Sequence, residues 1–363
     1  MEKAYGNCDL EMMKDFCQVD GPSGAEKEAT RVMKKYLEPY VQQFDYDTLG
    51  SLIALKKGSG KGPKLMLAGH VDEIGFVVTR IEDNGFLRFA PLGGWWGHVL
   101  LAKPLVITTD EGKKINGVIG AKAPHGMKPE ERDKVQEVKN MYIDIGVASK
   151  DEALELGIKI GNYITPKSDF TVLNNPNYLC AKAWDDRVGA LIATDVIKNL
   201  SNSQHSCDIY AVGTVQEEVG LRGAKTAAYK IDPDVAIALD VTTAQDTPGE
   251  DASCKLGAGV TISVQDASVL GHRGLIVKLA EICESLNLDV QYNALLAGGT
   301  DAGTIHQSRD GIISCTLSIP ARYIHSHNGI IHRKDYCDTV TLLTEFAKRL
   351  DNAMLEELRQ SNR

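Results

Sequence analysis

The chain has 363 residues, of which 43% are hydrophobic and 25% are charged, and its formal net charge is −9. This length accommodates a full-sized core and favours two domains, because domains commonly contain about 100–200 residues. The acidic balance argues against nucleic acid as a partner, since phosphate binding requires clustered Lys and Arg. No apolar stretch approaches the roughly 20 residues that span a bilayer, and the N-terminus lacks the basic and apolar blocks of a secretion signal.

The cysteines are scattered along the chain and contain no Cys-x-x-Cys pair. They are Cys8, Cys17, Cys180, Cys207, Cys254, Cys283, Cys315 and Cys337. This pattern indicates reduced, mostly buried thiols rather than a disulfide framework, and it argues against a cysteine-based zinc site. Together with the missing signal, it predicts a cytoplasmic protein without a membrane partner.

The N-terminal part of the chain predicts one helix followed by two strands. Ser23 and Glu26 have the spacing of a capping box, and the apolar residues within 29–37 fall on one helical face. Two apolar runs follow, 51–55 and 64–68, and a turn rich in Gly, Ser and Pro separates them.

Residues 74–164 predict a separate, small all-β unit. Short β-like runs alternate here with glycines and turn residues; the runs are 75–81, 86–89, 100–108, 116–119 and 141–145. Because helical periodicity is scarce, the segment is typical of a barrel. A charged stretch at 128–139 is either a mobile loop or a short helix, and Trp95 and Trp96 are either interface anchors or core residues.

After Thr165 the pattern changes to alternating strands and helices. The strands are 209–215, 235–239 and 311–319, and the helices include a segment around Ala190, 274–286 and 336–358. We therefore predict an α/β fold, with a mostly parallel sheet flanked by helices and an inserted small all-β, barrel-like domain. The catalytic domain would be discontinuous, made of residues 1–73 and 165–363, and interrupted by the β-rich oligomerisation insert 74–164.

Several positions directly after strand-like runs carry His or carboxylate side chains, at the sheet edge where α/β proteins bind ligands. They are His70 with Asp72, Asp185 with Asp186, Glu217 with Glu218, Asp240, and His325 with His327. Each one alone is explained equally well by a helix cap, a surface ion pair or a polar loop. Their joint occurrence is much harder to explain by chance, and ligands of this kind without thiolate suit zinc, cobalt or manganese.

The adjacent carboxylates Glu217 and Glu218 follow the apolar run that ends at Val215. Neighbouring side chains on an extended backbone point to opposite sides, so one carboxylate can bind a metal while the other faces an attacking water. Taken in isolation, such a pair is more simply a solvated loop, because burying two unpaired negative charges is costly. Asp72 is placed two residues beyond His70, where it could accept a hydrogen bond from the imidazole and set its tautomer.

Six segments in chain order extend this constellation. They are Gly69–Gly75 (GHVDEIG), Ala183–Arg187 (AWDDR), Gly213–Gly220 (GTVQEEVG), Leu239–Thr242 (LDVT), Gly298–Gly303 (GGTDAG) and Arg322–Ser326 (RYIHS). Together they resemble the tetrahedral (TET) dinuclear metalloaminopeptidases, a family that includes glutamyl and deblocking aminopeptidases and proteins once labelled endoglucanase M. The resemblance covers nearly the whole chain, including the β insert. Trp184 and Ala297 depart from the family pattern without touching a ligand position.

The resemblance implies two divalent metal ions per subunit, zinc or cobalt first and manganese as the further choice. His70 and Asp240 would bind one ion, and Glu218 and His325 would bind the other. Asp185 would bridge the two ions.

The resemblance also implies roles for residues that stay off the metals. Glu217 would be the general base, Asp72 would orient His70, and Asp186 would support the bridging carboxylate. His327 and His332 are weaker ligand candidates than His325, which follows Arg-Tyr-Ile directly after a strand.

The expected function is that of a metal-dependent aminopeptidase. Metal-activated water would attack the scissile carbonyl, and Glu217 would move its proton to the leaving amine. By the resemblance, the substrates are short peptides, and the β insert mediates self-association into dimers and a hollow tetrahedral dodecamer. The alternatives are deacylation or carboxypeptidase action at the same site, or a non-catalytic self-assembling shell protein. Glycoside hydrolysis by the carboxylate pair is weaker, since it leaves the His ligands without a role.

Overall fold

The computed structural model describes residues 3–251 and 253–362. The strands are β1 (Gln43–Tyr46), β2 (Leu52–Lys56), β3 (Lys64–His70), β4 (Gly75–Ile81), β5 (Leu87–Leu92), β6 (Pro104–Thr108), β7 (Lys114–Gly120), β8 (Tyr142–Asp144), β9 (Tyr163–Pro166), β10 (Thr171–Val172), β11 (Tyr178–Ala181), β12 (Asp208–Thr214), β13 (Val235–Thr243), β14 (Val260–Gln265), β15 (Val290–Ala294), β16 (Ile313–Ala321) and β17 (Gly329–His332). The helices are α1 (Leu10–Gln18), α2 (Lys27–Leu37), α3 (Pro129–Arg132), α4 (Lys150–Glu155), α5 (Trp184–Asn199), α6 (Arg222–Ile231), α7 (Arg273–Ser285), α8 (Ala302–Ile305), α9 (Arg333–Arg349) and α10 (Asn352–Gln360).

The main sheet has eight strands in the order β1-β2-β12-β3-β13-β16-β14-β15. Its four central strands, β12, β3, β13 and β16, are parallel to one another. The strands next to this centre, β2 and β14, run antiparallel to it. The predicted mostly parallel sheet is confirmed, with antiparallel pairings confined to its flanks.

Helices cover both faces of this sheet, which explains why its central strands consist of continuous apolar runs. Along β3, Leu65 and Leu67 point into the large core that α1, α2, α5, α7, α9 and α10 complete. The alternate residues, Met66 and Ala68, point to the opposite face and pack against α6 and α8. Each central strand therefore buries both of its faces, and its carboxyl end is the part left to line a site.

The six strands β4 to β9 form a closed antiparallel barrel in the order β4-β5-β8-β7-β6-β9. Its core is separate from that of the sheet and includes Phe76, Leu87, Ile107, Ile143 and Ile164. The predicted barrel is confirmed. The stretch 128–139 contains the single turn of α3 and leads into a 3₁₀ turn at 138–140.

The two neighbouring tryptophans of the barrel have different environments. Trp95 stacks on Phe76 with ring centroids 4.8 Å apart, and its Nε1–H donates to the carbonyl of Gly75 at 3.0 Å. Trp96 is 63% exposed. Of the two alternatives, Trp95 is a core residue, whereas Trp96 is a surface side chain.

Three predicted elements differ from the structure. The helix expected over 336–358 is two helices, α9 and α10, because the chain turns at Leu350 and Asp351 caps the second helix. The strand expected from 100 begins at 104, since residues 97–99 form a 3₁₀ turn and residues 100–102 form a further turn. The predicted capping box is wrong as well. Helix α2 begins at Lys27, and neither Ser23 nor Glu26 caps this helix with its side chain.

The start of α5 is pressed onto the sheet at a contact between two glycines. A Cβ on Gly69 of β3 would lie 2.3 Å from the nitrogen of Ala190, and one on Gly189 would lie 2.8 Å from the carbonyl oxygen of Leu239. Only hydrogen fits at either position. This close approach brings the acidic pair in the first turn of α5, Asp185 and Asp186, to the carboxyl ends of the strands.

Two further properties of the chain are the state of its cysteines and the hydrophobicity of its helices. All eight cysteines are free thiols, and Cys17, Cys207, Cys254, Cys283 and Cys315 are buried. Across residues 3–251 and 253–362, no helix combines the length and the apolar character that crossing a membrane requires.

We predict that Gly189→Ala lowers the free energy of unfolding by about 1–3 kcal/mol, because overpacking forces the neighbouring backbone to move. Its new Cβ would lie 2.3 Å from Asp186 Oδ2 and 2.8 Å from the Leu239 carbonyl oxygen. Thermal unfolding measures the effect. Gly126→Ala is the control, since its nearest neighbour would be Lys122 Cε at 3.7 Å. Equal midpoints for the two variants would contradict the prediction.

Candidate active site

The carboxyl ends of the four central strands converge on one cluster of polar side chains. His70 is the last residue of β3, Asp240 lies in the second half of β13, and His325 follows the end of β16. Glu217 and Glu218 lie just beyond β12. This is the sheet edge that the sequence predicts for ligand binding.

Asp185 reaches the cluster from a different direction, since it is the second residue of α5, which follows β11 of the small sheet β10-β11-β17. Its two carboxylate oxygens face two different imidazoles. Oδ1 lies 3.1 Å from Nε2 of His70, and Oδ2 lies 3.2 Å from Nε2 of His325. The carboxylate of Asp185 therefore lies between two imidazole nitrogens.

The two adjacent glutamates approach different members of the cluster. Glu217 Oε2 is 3.7 Å from Nε2 of His70, whereas Glu218 Oε2 is 3.3 Å from Nε2 of His325. Two overlapping groups have ligand atoms within 4.8 Å of one another and could hold a metal ion: His70, Asp185 and Glu218, and His70, Glu217 and Asp240. The sequence-predicted site residues are thus brought together in space.

The sequence predicts that strand alternation directs the side chains of Glu217 and Glu218 to different sides. This prediction is wrong. The two glutamates lie beyond β12, in a turn entered through Gln216, whose φ is +57°. The carboxylate of Asp72 holds this turn, because Oδ1 accepts from the backbone N–H of Glu217 at 3.0 Å and Oδ2 from that of Glu218 at 3.2 Å. The left-handed residue and the buried acceptor together direct the two side chains.

Asp72 also contacts the imidazole of His70. Nδ1–H of His70 donates to the backbone carbonyl of Asp72 at 3.0 Å, and the carboxylate oxygen Oδ1 lies further away, at 3.5 Å. Protonation at Nδ1 leaves the lone pair of Nε2 facing the cluster. Burial raises the pKa of the Asp72 carboxyl, but the adjacent imidazole of His70 and the hydrogen bonds from Ser23 and Glu217 outweigh it and hold that pKa below its ordinary value.

Ser23 and Glu26 support the same turn, a role that the capping-box interpretation missed. The hydroxyl of Ser23 donates to Asp72 Oδ2 at 2.7 Å. Oε1 of Glu26 accepts from the backbone N–H of Gly24 at 2.6 Å and from that of Gln216 at 3.1 Å. Three consecutive backbone N–H groups, 216 to 218, therefore point at two buried carboxylates. The spacing of Ser23 and Glu26 in the sequence is the same as that of a capping box. Only their contacts show that they support this turn and do not cap a helix.

Two further carboxylates surround the cluster. Asp186 accepts from the backbone N–H of His70 and from that of Gly189, each at 3.0 Å, which ties α5 to the end of β3. Asp301, within the Gly-Gly-Thr-Asp-Ala-Gly motif, accepts from the hydroxyl of Thr214 at 2.5 Å. These residues position the strand ends.

The cluster contains more buried carboxylates than the surrounding hydrogen-bond donors can stabilise. Burial raises the pKa of Glu217 and Asp240 well above the ordinary range, and repulsion from nearby carboxylates adds to it. Oε1 of Glu218 is buried and has no hydrogen-bond partner in the described part of the chain. Such groups are costly unless a cation compensates them. Imidazole nitrogens with carboxylate oxygens fit a divalent ion of the zinc, cobalt or manganese type.

The barrel forms one wall of this site. Gly93 and Gly94 follow β5, and a Cβ on Gly93 would lie 3.1 Å from Oε2 of Glu218. A Cβ on Gly94 would lie 3.0 Å from Nδ1 of His325. The insert is therefore in contact with the glutamate and the histidine at one end of the cluster.

Comparison with known proteins agrees with this architecture. Residues 50–342 match the model of the family described as M42 glutamyl aminopeptidase. The chain belongs to the M42 glutamyl aminopeptidase family. It is 33% identical over 357 residues to the lysyl aminopeptidase of Pyrococcus furiosus, covering 97% of this chain and 98% of that one.

Solved structures of TET peptidases superpose closely on the chain. A TET aminopeptidase from a marine sediment archaeon of the Thaumarchaeota has a TM-score of 0.93 at 40% identity, covering 96% of this chain and 99% of that one. The TET1 peptidase of Pyrococcus horikoshii, which can assemble into a tetrahedron or a large octahedral shell, has a TM-score of 0.84 at 33% identity, covering 94% and 99%. The predicted family and the predicted activity are confirmed: this M42 chain is a metal-dependent peptide hydrolase that acts at N-termini.

We predict that Glu26→Ala lowers kcat about 10–100-fold while metal content is unchanged, because residues that orient a metal site contribute on this scale. The loss would release the backbone N–H of Gln216 and loosen the turn that carries Glu217. Steady-state kinetics with metal analysis measures both quantities. Glu26→Gln keeps an acceptor oxygen and should restore most of the activity. Glu28→Ala, on the exposed side of α2, should have no effect, and equal losses in Glu26→Ala and Glu28→Ala would contradict the assignment.

Proposed function

We propose that this chain removes N-terminal residues from short peptides with two divalent ions bound at the strand ends and Glu217 as general base. The geometry of Asp185 carries the proposal. Its two oxygens lie 3.1 Å and 3.2 Å from the Nε2 atoms of His70 and His325. A carboxylate shared between two nitrogen ligands in this way suits a pair of neighbouring metal ions.

The ligands divide into two sets about this carboxylate. His70 and Asp240 would hold one ion, and Glu218 and His325 would hold the other, with Asp185 common to both. The 3.3 Å distance between Glu218 Oε2 and His325 Nε2 supports the second set. Zinc or cobalt suits this mixture of ligands, and manganese is the further choice.

The chain's own residues would perform the proton transfers. When bound, the two ions lower the pKa of a water molecule and polarise the scissile carbonyl. Glu217 faces the cluster on a backbone fixed by Asp72. It would accept the proton of the attacking water and deliver it to the leaving amine. Burial raises the pKa of Glu217, which suits a group that must hold a proton during the reaction.

We predict that Glu217→Gln binds metal as the wild type does but loses about 10²–10⁴-fold in kcat, the usual contribution of general-base catalysis. The amide is isosteric with the carboxylate but cannot accept the proton. Metal analysis and peptide turnover measure the two quantities, and Glu11→Gln, at an exposed position, is the control. Because Glu217 also belongs to a possible ligand group, loss of one ion in Glu217→Gln would reassign it as a ligand.

We predict that Asp185→Ala loses both metal and turnover, because both ion sites depend on its carboxylate. Metal content after dialysis, measured per chain, is the readout. A variant that still retains two ions per chain would refute the bridging role. Thermal unfolding of the metal-free wild type provides the reference, so that a loss of metal is not mistaken for a loss of fold.

The choice among hydrolytic reactions is tested with matched peptides. Free, N-acetylated and C-amidated versions of one sequence separate aminopeptidase, deacylase and carboxypeptidase action. We expect the free and C-amidated peptides to be cleaved from the N-terminus and the acetylated one to be resistant. Chelation should abolish cleavage, and stepwise addition of zinc, cobalt or manganese should restore it. Release of C-terminal residues would favour the carboxypeptidase alternative.

The barrel insert, residues 74–164, would mediate self-association. The P. horikoshii relative assembles into closed shells, and Leu101 and Val135 of this barrel are exposed and line the same surface groove. Exposed apolar patches of this kind mark interaction sites. A tetrahedral dodecamer built from dimers is the proposed form. Its interior would admit only short peptides, and free thiols suit a cytoplasmic location.

We predict that light scattering after size exclusion gives a mass many times the 39.5 kDa of one chain. Leu101→Asp combined with Val135→Asp should reduce this mass, because charge is costly at a buried interface. Leu270→Asp, at an exposed position on the catalytic side, is the control. A monomeric wild type would contradict the proposed assembly.

A further inference from the structure

A groove of about 880 Å³ begins at His325 and follows the junction between the barrel and the sheet. The barrel contributes Gly94, Trp95, Trp96, His98, Val99 and Lys103 to its lining, and residues 323–328 with Thr243 contribute the other side. The groove thus starts at a proposed metal ligand and leads away from it. The catalytic roles described above do not use it.

The charge of this groove is opposite to that of the neighbouring cluster. Its lining includes the ammonium group of Lys103 but no Asp or Glu. Within residues 3–251 and 253–362, the amino group of Lys103 has no hydrogen bond or ion pair. A cationic group without a partner at the edge of an acidic site is suited to an anion that the substrate brings.

His327 is the strongest indication that the groove receives a polar group. Its side chain lines the groove but is only 2% exposed. Neither ring nitrogen has a hydrogen-bond partner among the described residues. A buried polar ring left unsatisfied costs stability, and such groups in native proteins commonly serve a ligand or water.

Aromatic side chains lie beside these polar groups, and one of them, Trp95, is held in place by its packing. The ring of Trp95 lies 5.4 Å from that of His327, and its position is fixed by stacking on Phe76 and by its hydrogen bond to Gly75. Trp96 contacts His98 edge to face at 4.6 Å. Aromatic walls with a few polar groups are typical of sites for small organic ligands.

We propose that this groove binds a carboxylate of the peptide substrate through Lys103 and His327. The inference rests on the proposed function, because the peptide's reacting end would then lie at His325. A carboxylate can come from two sources: the C-terminus of a very short peptide, or an acidic side chain. Both present the same anionic group, so the experiment is designed to separate them.

Matched neutral and anionic substrates measure the preference. Ala-Ala is compared with Ala-Ala amide for the C-terminal source. Amidated dipeptides with Glu or Gln in the first or the second position test the side-chain source. In the wild type, at least one anionic member should have a kcat/KM about 10-fold above its neutral counterpart, the scale of a charge-assisted hydrogen bond.

Lys103→Met should remove this preference and leave kcat/KM for the neutral amides within about 2-fold of wild type. Lys103→Arg keeps the charge and should retain most of the preference. His327→Phe keeps an aromatic ring without its nitrogens and should weaken the preference in the same substrate pair. Because the neutral amides report peptide hydrolysis itself, a general loss of fold or metal is recognised separately.

Binding to the Glu217→Gln variant tests the groove without turnover. Calorimetry with Ala-Ala and the Glu-containing amides should show tighter binding than their neutral counterparts, and adding Lys103→Met should abolish the difference. Equal kcat/KM and equal binding for anionic and neutral peptides would overturn the inference while leaving the proposed function intact. A uniform fall for all substrates in Lys103→Met would also overturn it, since that result indicates a structural role.

Discussion

The buried carboxylate of Asp72 is the contact on which the geometry of the site depends. It accepts hydrogen bonds from the hydroxyl of Ser23 and from the backbone N–H groups of Glu217 and Glu218, and it lies beside the imidazole of His70. The N-terminal segment, the end of β3 and the turn after β12 therefore meet at one side chain. A charged acceptor enclosed by donors is held in place strongly, because leaving any of these groups unpaired in the interior is costly.

The carboxylates around Asp72 divide into two kinds. Asp72 and Asp186 have their oxygens occupied by donors of the protein, so they position the chain. Glu218 keeps a buried oxygen without a partner, and burial raises the pKa of Glu217. A bound cation or a proton stabilises these two glutamates most, since either one compensates a desolvated negative charge. The folded chain thus separates groups that hold geometry from groups available for chemistry.

The barrel insert contributes to the catalytic region as well as to its own core. The Gly93–Gly94 backbone passes so close to Glu218 and His325 that a Cβ on either glycine would lie only 3.0–3.1 Å from one of these side chains. The segment that follows supplies Trp95 and Lys103 to the groove beside the site. The fold therefore places an aromatic and cationic wall against an acidic centre. Any change in how the barrel packs would alter both the site and its neighbouring groove.

The α/β class, the barrel and the position of the cluster at the strand ends could all be predicted from sequence, because apolar periodicity and the order of polar residues after strands are local properties. The role of Ser23 and Glu26 cannot be predicted in this way, since a capping box and a support for a distant turn have the same spacing. The same holds for the turn after β12, because residue types alone do not reveal the left-handed conformation of Gln216. The sequence by itself determined which chemical groups the chain carries and on which elements they lie. Only the tertiary structure decided their pairing, such as Glu26 with the backbone of Gln216 across 190 positions, because these contacts depend on how α5, the sheet and the barrel pack.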